Sequence, residues 1–305
     1  MMDTMKVHIL GCGSALPTTR HSLSAQVLEL SGKLFLIDCG EAAQLQFRRT
    51  RLNFNRISDI FISHLHGDHC FGLPGLISTL SLLGRTAPLR IHAHPDLERL
   101  LRPQLGYFCR ELGFEVVFQP FSPHSHELIY EDRGLRVYSL PLIHRVPSTG
   151  FLFKERPGSA HIVREMTDFY KIPLRELPAI KAGADYVTPE GEVIPHERLT
   201  RPAAPPRSYA YCSDTAYNEA LIPMIAGVDL LYHEATFARS EEDWAATTQH
   251  STAAQAGKIA AGAGAGRLLI GHFSARYEDE NLLLREAQAV FPQTMLANEG
   301  MTVEI

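Results

Sequence analysis

The chain has 305 residues, 45% of them hydrophobic, and a formal charge of −5 with a pI near 6.3. That is enough apolar material for a substantial core, and the acidic balance excludes a protein that coats nucleic acid through net positive charge, so any such contact rests on a local patch. The five cysteines (Cys12, Cys39, Cys70, Cys109, Cys212) are scattered, odd in number and form no CxxC pair, which argues for reduced thiols and against a disulfide framework. No apolar run approaches the roughly 18–20 residues of a membrane helix. The first residues carry no charged region followed by a long apolar run. The expectation is therefore a cytoplasmic protein with no membrane segment.

In chain order, "KVHIL", "AQVLEL" and "KLFLID" read as strands separated by turn residues. "EAAQLQFRRTR" reads as a helix, and "ISDIFIS" as a strong strand. "LPGLISTLSLLG" is an apolar helix with a glycine stop. "LRIHAH", "FEVVFQ", "HELIYED" and "LRVYSLPL" continue the strands, and "SYAYCSD" and "VDLLYHEA" add two more. "STAAQAGKIAAGAG" is a small-residue helix suited to close packing on a sheet. "RLLIGH", the helix "EDENLLLREAQAVF" and the strand "MTVEI" complete the set. Hairpins followed by strands that alternate with helices predict sheets covered by helices on their outer faces. Residues 154–207 stand apart: rich in proline and charge, with no strong apolar period. They read as an excursion from the core, an arm, lid or mobile loop.

The stretch "FISHLHGDHCFGLPG" places His64, His66, Asp68 and His69 within six residues, in the loop after a strand. Gly67 permits a tight turn there. Imidazole and carboxylate together suit zinc better than an all-oxygen ion. One tetrahedral ion needs about four ligands and two ions need more, so the cluster alone leaves the number open. His144, Asp214 and His272 each stand where a later apolar strand stops. Singly, a strand-end histidine or an Asp-Thr helix cap is ordinary. Added to the cluster they make five histidines and two aspartates, a set that suits two zinc ions sharing a carboxylate.

These stretches, with "LIDCGEAAQLQ", "HRVPSTGF", "YCSDT", "LLYHEATF", "HSTAAQA" and "GHFSARYEDE", resemble the metallo-β-lactamase superfamily and, within it, the ribonuclease Z family of tRNA 3′-processing endoribonucleases. The resemblance runs over nearly the whole chain. It implies an α/β fold, an αββα sandwich of two mixed β-sheets flanked by helices with a protruding arm. It also implies a zinc-dependent endoribonuclease, with two zinc ions per subunit, that removes the 3′ trailer from tRNA precursors and leaves a 3′-hydroxyl. His64, His66 and His144 would hold one zinc, Asp68, His69 and His272 the other, and Asp214 would bridge them. Asp38 would support the ligands from behind through hydrogen bonds. Two such ions activate a water and neutralise charge on the phosphoryl oxygens, and Asp68 can accept a hydrogen bond from the nucleophile. His233 of "HEATF", with Glu234 beside it, is expected to protonate the leaving ribose oxygen. His250, Ser274 and Arg276 are candidates for phosphate contact; His250 has the alternative of a helix-start residue before Ser251 and Thr252.

The whole of 1–305 is expected to be one domain of this fold, with 154–207 as an arm-like insertion and exosite candidate. In the family such arms clamp tRNA within a homodimer, which makes a homodimer the expected assembly. "QLQFRRTRLNFNR" (44–56) holds four arginines and no acid; it is either a phosphate-contacting strip or a solvated helix face with Phe47 and Phe54 packed inward. The competing function is a di-zinc phosphodiesterase acting on cyclic nucleotides or other small phosphodiesters. A non-catalytic RNA-binding protein is opposed by the complete ligand set, since unused buried ligands carry a desolvation cost.

Overall fold

The computed structural model describes residues 4–305. Two seven-stranded mixed sheets dominate the larger of two compact units, which among the described residues comprises 4–131, 136–154 and 207–305. The first sheet runs, edge to edge, Thr302–Glu304, Lys6–Gly11, Ala25–Leu30, Lys33–Ile37, Ile57–Phe61, Leu89–Ala93 and Val116–Pro120. The second runs Thr294–Leu296, Arg267–Gly271, Leu230–Glu234, Ser208–Cys212, Thr149–Glu155, Leu135–Pro141 and Leu128–Glu131. Each sheet has an antiparallel part and a parallel part: the first sheet passes from antiparallel to parallel in the order given, the second from parallel to antiparallel. The change comes at Lys33–Ile37 with Ile57–Phe61 in one sheet and at Ser208–Cys212 with Leu230–Glu234 in the other.

The two inner faces meet through aromatic rings. Phe61 lies 5.5 Å from Phe151 and 5.4 Å from Phe153, and Phe35 lies 5.7 Å from Tyr130. Helices cover the outer faces, as a half-apolar strand pattern requires. Leu73–Leu82 seats Leu73, Leu76, Ile77 and Leu80 on the first sheet's core. Ala253–Ala263 lies against Leu230–Glu234 and Arg267–Gly271, and its small residues let the neighbouring Asn281–Gln288 helix approach. A Cβ on Gly257 would sit 3.0 Å from the Ala287 carbonyl oxygen.

Most expected elements form within a residue or two of their expected ends. The helix Asp96–Phe108 was not anticipated, because Pro103 interrupts its sequence. Leu97, Leu101 and Leu105 nonetheless share one buried stripe, while Pro103 lies on the exposed side. The strand Thr149–Glu155 was likewise missed. Its first five residues are all buried, so it shows no alternation. In the 44–56 strip the packing follows the second alternative: Phe47 and Phe54 are buried 4.4 Å apart, and Arg48, Arg49 and Arg51 are exposed.

The second unit comprises residues 155–206 with 132–135. It has its own small core of Ile172, Ile180, Ile194 and Leu199, and two two-stranded ladders. No apolar period was visible here because that core is assembled from several short pieces. The segment leaves and returns side by side, with His161 paired to Arg201.

Among the described residues no helix is long and apolar enough to cross a membrane. The turn after Lys33–Ile37 is zipped to the histidine loop by Cys39 N donating to His69 O and Gly72 N to Cys39 O, both at 2.8 Å. A Cβ on Gly72 would lie 2.2 Å from the Gly40 carbonyl oxygen. Gly72→Ala is therefore expected to destabilise the fold by about 1–3 kcal/mol through overpacking against backbone that has no rotamer to yield, read as a lowered melting temperature.

Candidate metal centre and active site

Parallel strands deliver the functional residues at their carboxyl ends, where such sheets place their sites. His64 follows Ile57–Phe61, Asp38 follows Lys33–Ile37, Asp214 follows Ser208–Cys212, Glu234 ends its strand and His272 follows Arg267–Gly271. His144 comes just after Leu135–Pro141.

The seven expected ligands converge in two groups. In the first, His66 Nδ1 lies 3.0 Å from His64 Nε2 and 3.3 Å from His144 Nε2. Asp214 Oδ2 is 3.5 Å from His64 Nε2 and 3.8 Å from His144 Nε2. In the second, His69 Nε2 lies 3.4 Å from His272 Nε2, and Asp68 Oδ2 is 3.5 Å from both. Asp214 Oδ1 joins this group, 3.1 Å from His272 Nε2 and 3.4 Å from His69 Nε2. Each oxygen of Asp214 thus serves a different group.

The donor atoms fit bound cations. Ligands about 2.0–2.2 Å from a tetrahedral zinc stand roughly 3.3–3.6 Å from one another, close to the separations here. Asp214 Oδ1 is buried and makes no aligned hydrogen bond despite its two imidazole neighbours. Nitrogen lone pairs that face one another and a buried carboxylate oxygen without a donor are what a cation satisfies.

The far side of four of the five rings is held. Ser63 Oγ donates to Asp38 Oδ2 at 2.8 Å and so accepts from His64 Nδ1 at 3.0 Å. His69 Nδ1 donates to Asp38 Oδ2 at 2.8 Å, and His144 Nδ1 to the Gln249 carbonyl at 2.9 Å. The Thr236 hydroxyl donates to Glu234 Oε2 at 2.7 Å and accepts from His272 Nδ1 at 2.9 Å. These bonds direct Nε2 of all four rings inward. Asp38, fully buried, also accepts from Ser63 N and Tyr211 OH, both at 2.7 Å. Ala15 N donates to Asp68 Oδ2 at 2.8 Å.

Ala15, Asp38, Gln249 and His272 all have φ between 55° and 61°, a region L residues visit at a cost unless the surroundings over-determine it. Each of them holds or is a site residue.

The structure corrects the expectation for His233. Successive strand residues face opposite sides, so His233 and Glu234 cannot both face the centre. Glu234 does: its carboxylate accepts from His250 Nδ1 at 2.9 Å, from Thr215 N and Thr236 N at 3.0 Å and from Ser251 N at 3.1 Å. His233 is fully buried on the other face, with Nδ1 on the Glu234 carbonyl and Nε2 without a partner. Burial also lowers its pKa.

His250 instead lines an open cleft of about 450 Å³ together with His66, Asp68, Asp214 and His272. Burial disfavours its charge, but the Glu234 carboxylate outweighs that and holds its pKa at about 9. Ser274 and Arg276 are not in this lining. Arg276 pairs with Glu241, with its guanidinium 4.9 Å from the centre of the Phe237 ring. Phe71 and Arg145, which no sequence signal singled out, do line the cleft.

Two mixed sheets flanked by helices, with histidines and aspartates gathered at the strand ends, define a metallo-β-lactamase-fold hydrolase. A family model described as Anti-Pycsar protein Apyc1 matches residues 5–159. Curated relatives named Ribonuclease Z include one from Bacteroides thetaiotaomicron, 59% identical over 304 residues and covering 100% of this chain and 96% of that protein. Another, from Bacteroides fragilis, is 58% identical over 304 residues, covering 100% of both. The crystal structure of human tRNase Z, short form, superposes with a TM-score of 0.72 at 27% identity, covering 98% of each chain. The chain belongs to the ribonuclease Z family and is a metal-dependent endoribonuclease that hydrolyses phosphodiesters.

Asp38→Ala would leave four donors facing an apolar gap and release the rings of His64 and His69. Metal affinity is expected to fall about 10–100-fold, measured by chelator competition with metal analysis of the recovered protein.

Proposed function

We propose that this chain removes 3′ trailers from tRNA precursors with two zinc ions per subunit, leaving a 3′-hydroxyl on the tRNA. The observation that carries this reading is the pair of donor groups joined through Asp214 at the floor of an open cleft, in a chain closely related to proteins named Ribonuclease Z. His64, His66 and His144 would hold one ion, Asp68, His69 and His272 the other, with Asp214 between. When bound, the ions activate a water and neutralise charge on the phosphoryl oxygens.

The chain's own groups supply the rest. Asp68, oriented by the Ala15 N–H, accepts a hydrogen bond from the attacking water as well as binding metal. His250 takes the role first expected of His233. Its Nδ1 is engaged by Glu234, so Nε2 is the ring nitrogen left to deliver a proton to the departing ribose 3′-oxygen. Glu234 acts through His250, holding it protonated and in place. The resemblance to ribonuclease Z supports a cytoplasmic homodimer in which the 155–206 unit is an exosite for tRNA. Ser274 and Arg276, outside the cleft lining, are left with at most a contact to RNA beyond the scissile phosphate.

His250→Ala is expected to lower kcat by about 10²–10⁴-fold, the usual worth of a positioned acid, while His233→Gln stays near the wild-type rate. The reverse pattern in single-turnover cleavage of a trailer-bearing precursor would return the role to His233. Glu234→Gln removes the charge that raises the His250 pKa and leaves burial to lower it. Proton donation is then lost at lower pH, so the alkaline limb of the pH–rate profile should move down; an unmoved limb rules out His250 as the titrating acid.

Because Gly158 and Ala203 are neighbours (a Cβ on Gly158 would lie 3.2 Å from Ala203 Cβ), a short Gly-Ser linker can replace the residues between them. The shortened chain should still turn over bis(p-nitrophenyl) phosphate but cleave precursor tRNA poorly. Equal retention of both activities would show that the unit is no tRNA clamp. Turnover of small diesters without any precursor cleavage by the full chain would favour a small-molecule phosphodiesterase.

A further inference from the structure

Two groups that line the cleft are not among the donor atoms or the hydrogen bonds that orient them. The first is Phe71. Its side chain is 71% exposed although it sits directly after the histidine loop. The ring lies against Gly67, where a Cβ would stand 2.5 Å from Phe71 Cε2. Glycine at 67 therefore leaves room for an aromatic face beside Asp68. The same ring borders an adjoining apolar groove with Leu65, Leu97 and Leu100, so it stands between two concavities.

The second is Arg145, the residue after His144. It is the one lysine or arginine in the cleft lining, which otherwise carries the acids Glu41, Asp68 and Asp214. It is exposed, and among the described residues it forms no ion pair. Its positive charge is felt at both His66 and His250. A planar apolar face and an unpaired cation lining one cleft are the combination with which proteins hold single-stranded nucleic acid: bases stack on the ring, and the cation takes a phosphate.

We propose that Phe71 and Arg145 form a nucleotide subsite, in which Phe71 stacks the base of a nucleotide flanking the scissile bond and Arg145 pairs with a phosphate next to it. The inference rests on the endoribonuclease reading and adds to it the groups that seat the strand over the metal centre. It makes the recognition of the flanking nucleotide tolerant of base identity, since every base offers a face for stacking while neither group reads a base edge.

The test uses the full-length protein and a 3′-extended precursor RNA. Two variants of this RNA carry a single abasic residue immediately 5′ or 3′ of the cut. Phe71→Ala is expected to lower kcat/KM on the intact RNA between about fivefold and a hundredfold, the range set by one lost stack. One of the two abasic substrates should show the same loss with the wild-type protein and no further loss with Phe71→Ala, and Phe71→Trp should restore the rate. Arg145→Ala should lower kcat/KM and flatten its logarithmic salt dependence by about one unit of slope, as loss of one phosphate contact does, with Arg145→Lys recovering the slope. Metal content and melting temperature, matched to wild type, show that each variant is folded. Losses from Phe71→Ala and from the abasic site that multiply, or an unchanged rate, overturn the stacking role, and an unchanged salt slope overturns the phosphate role. If the wild type fails to cut the precursor at all, the endoribonuclease reading itself fails and the subsite falls with it.

Discussion

The structure turns on one carboxylate. Asp214 presents Oδ2 to His64 and His144, and Oδ1 to His69 and His272. Those histidines arrive from three places far apart in the chain, and Asp214 from a fourth. Bringing five imidazoles and two carboxylates out of water to one point is unfavourable unless something satisfies the inward-facing atoms. Cations do so, and a shared carboxylate lets two groups of donors stand close without placing two full anions between them. The sheets, the strand-end loops and the strained residues around the centre can each be understood as meeting that requirement.

Around this centre lies a shell of hydrogen bonds that sets direction. Asp38 collects Ser63, His69 and Tyr211, and Tyr211 stacks on its cross-strand neighbour Tyr232, so the orientation of these groups is tied to the packing of the second sheet. Glu234 collects His250, Thr215, Thr236 and Ser251, and through Thr236 it reaches His272. One buried acid steadies the candidate metal ligands and another steadies the candidate proton donor as well. The left-handed backbone at Ala15, Asp38, Gln249 and His272 belongs to the same shell, held in place by the hydrogen bonds these residues make.

Much of this was legible in the sequence. The candidate ligand positions could be read because they stand at or just after the ends of apolar strands, and strand ends are visible as breaks in hydrophobic runs. The small-residue helix and the sheet-and-helix layering were legible for the same local reasons. The helix Asp96–Phe108 was hidden by Pro103, whose usual meaning is a break; here it lies on the solvent side while three leucines keep the stripe. His233 misled because the motif places it beside Glu234, and adjacency in a strand means opposite faces. From the sequence, His250 reads as a candidate phosphate contact or a residue before a helix cap, not as a proton donor, since its partner Glu234 is 16 positions away and the bond between them exists only in three dimensions.

By itself, then, the sequence determined the chemistry available: seven candidate ligands, their positions at or after strand ends, and the class of reaction they suit. These follow from local pattern, which side-chain type and hydrophobic period carry directly. Tertiary structure decided which oxygen of Asp214 meets which histidine, which of two histidines reaches the cleft, and that Phe71 and Arg145 stand at its edge. Those outcomes depend on the order and register of strands drawn from distant parts of the chain, and on the face each residue presents, which residue type alone does not encode.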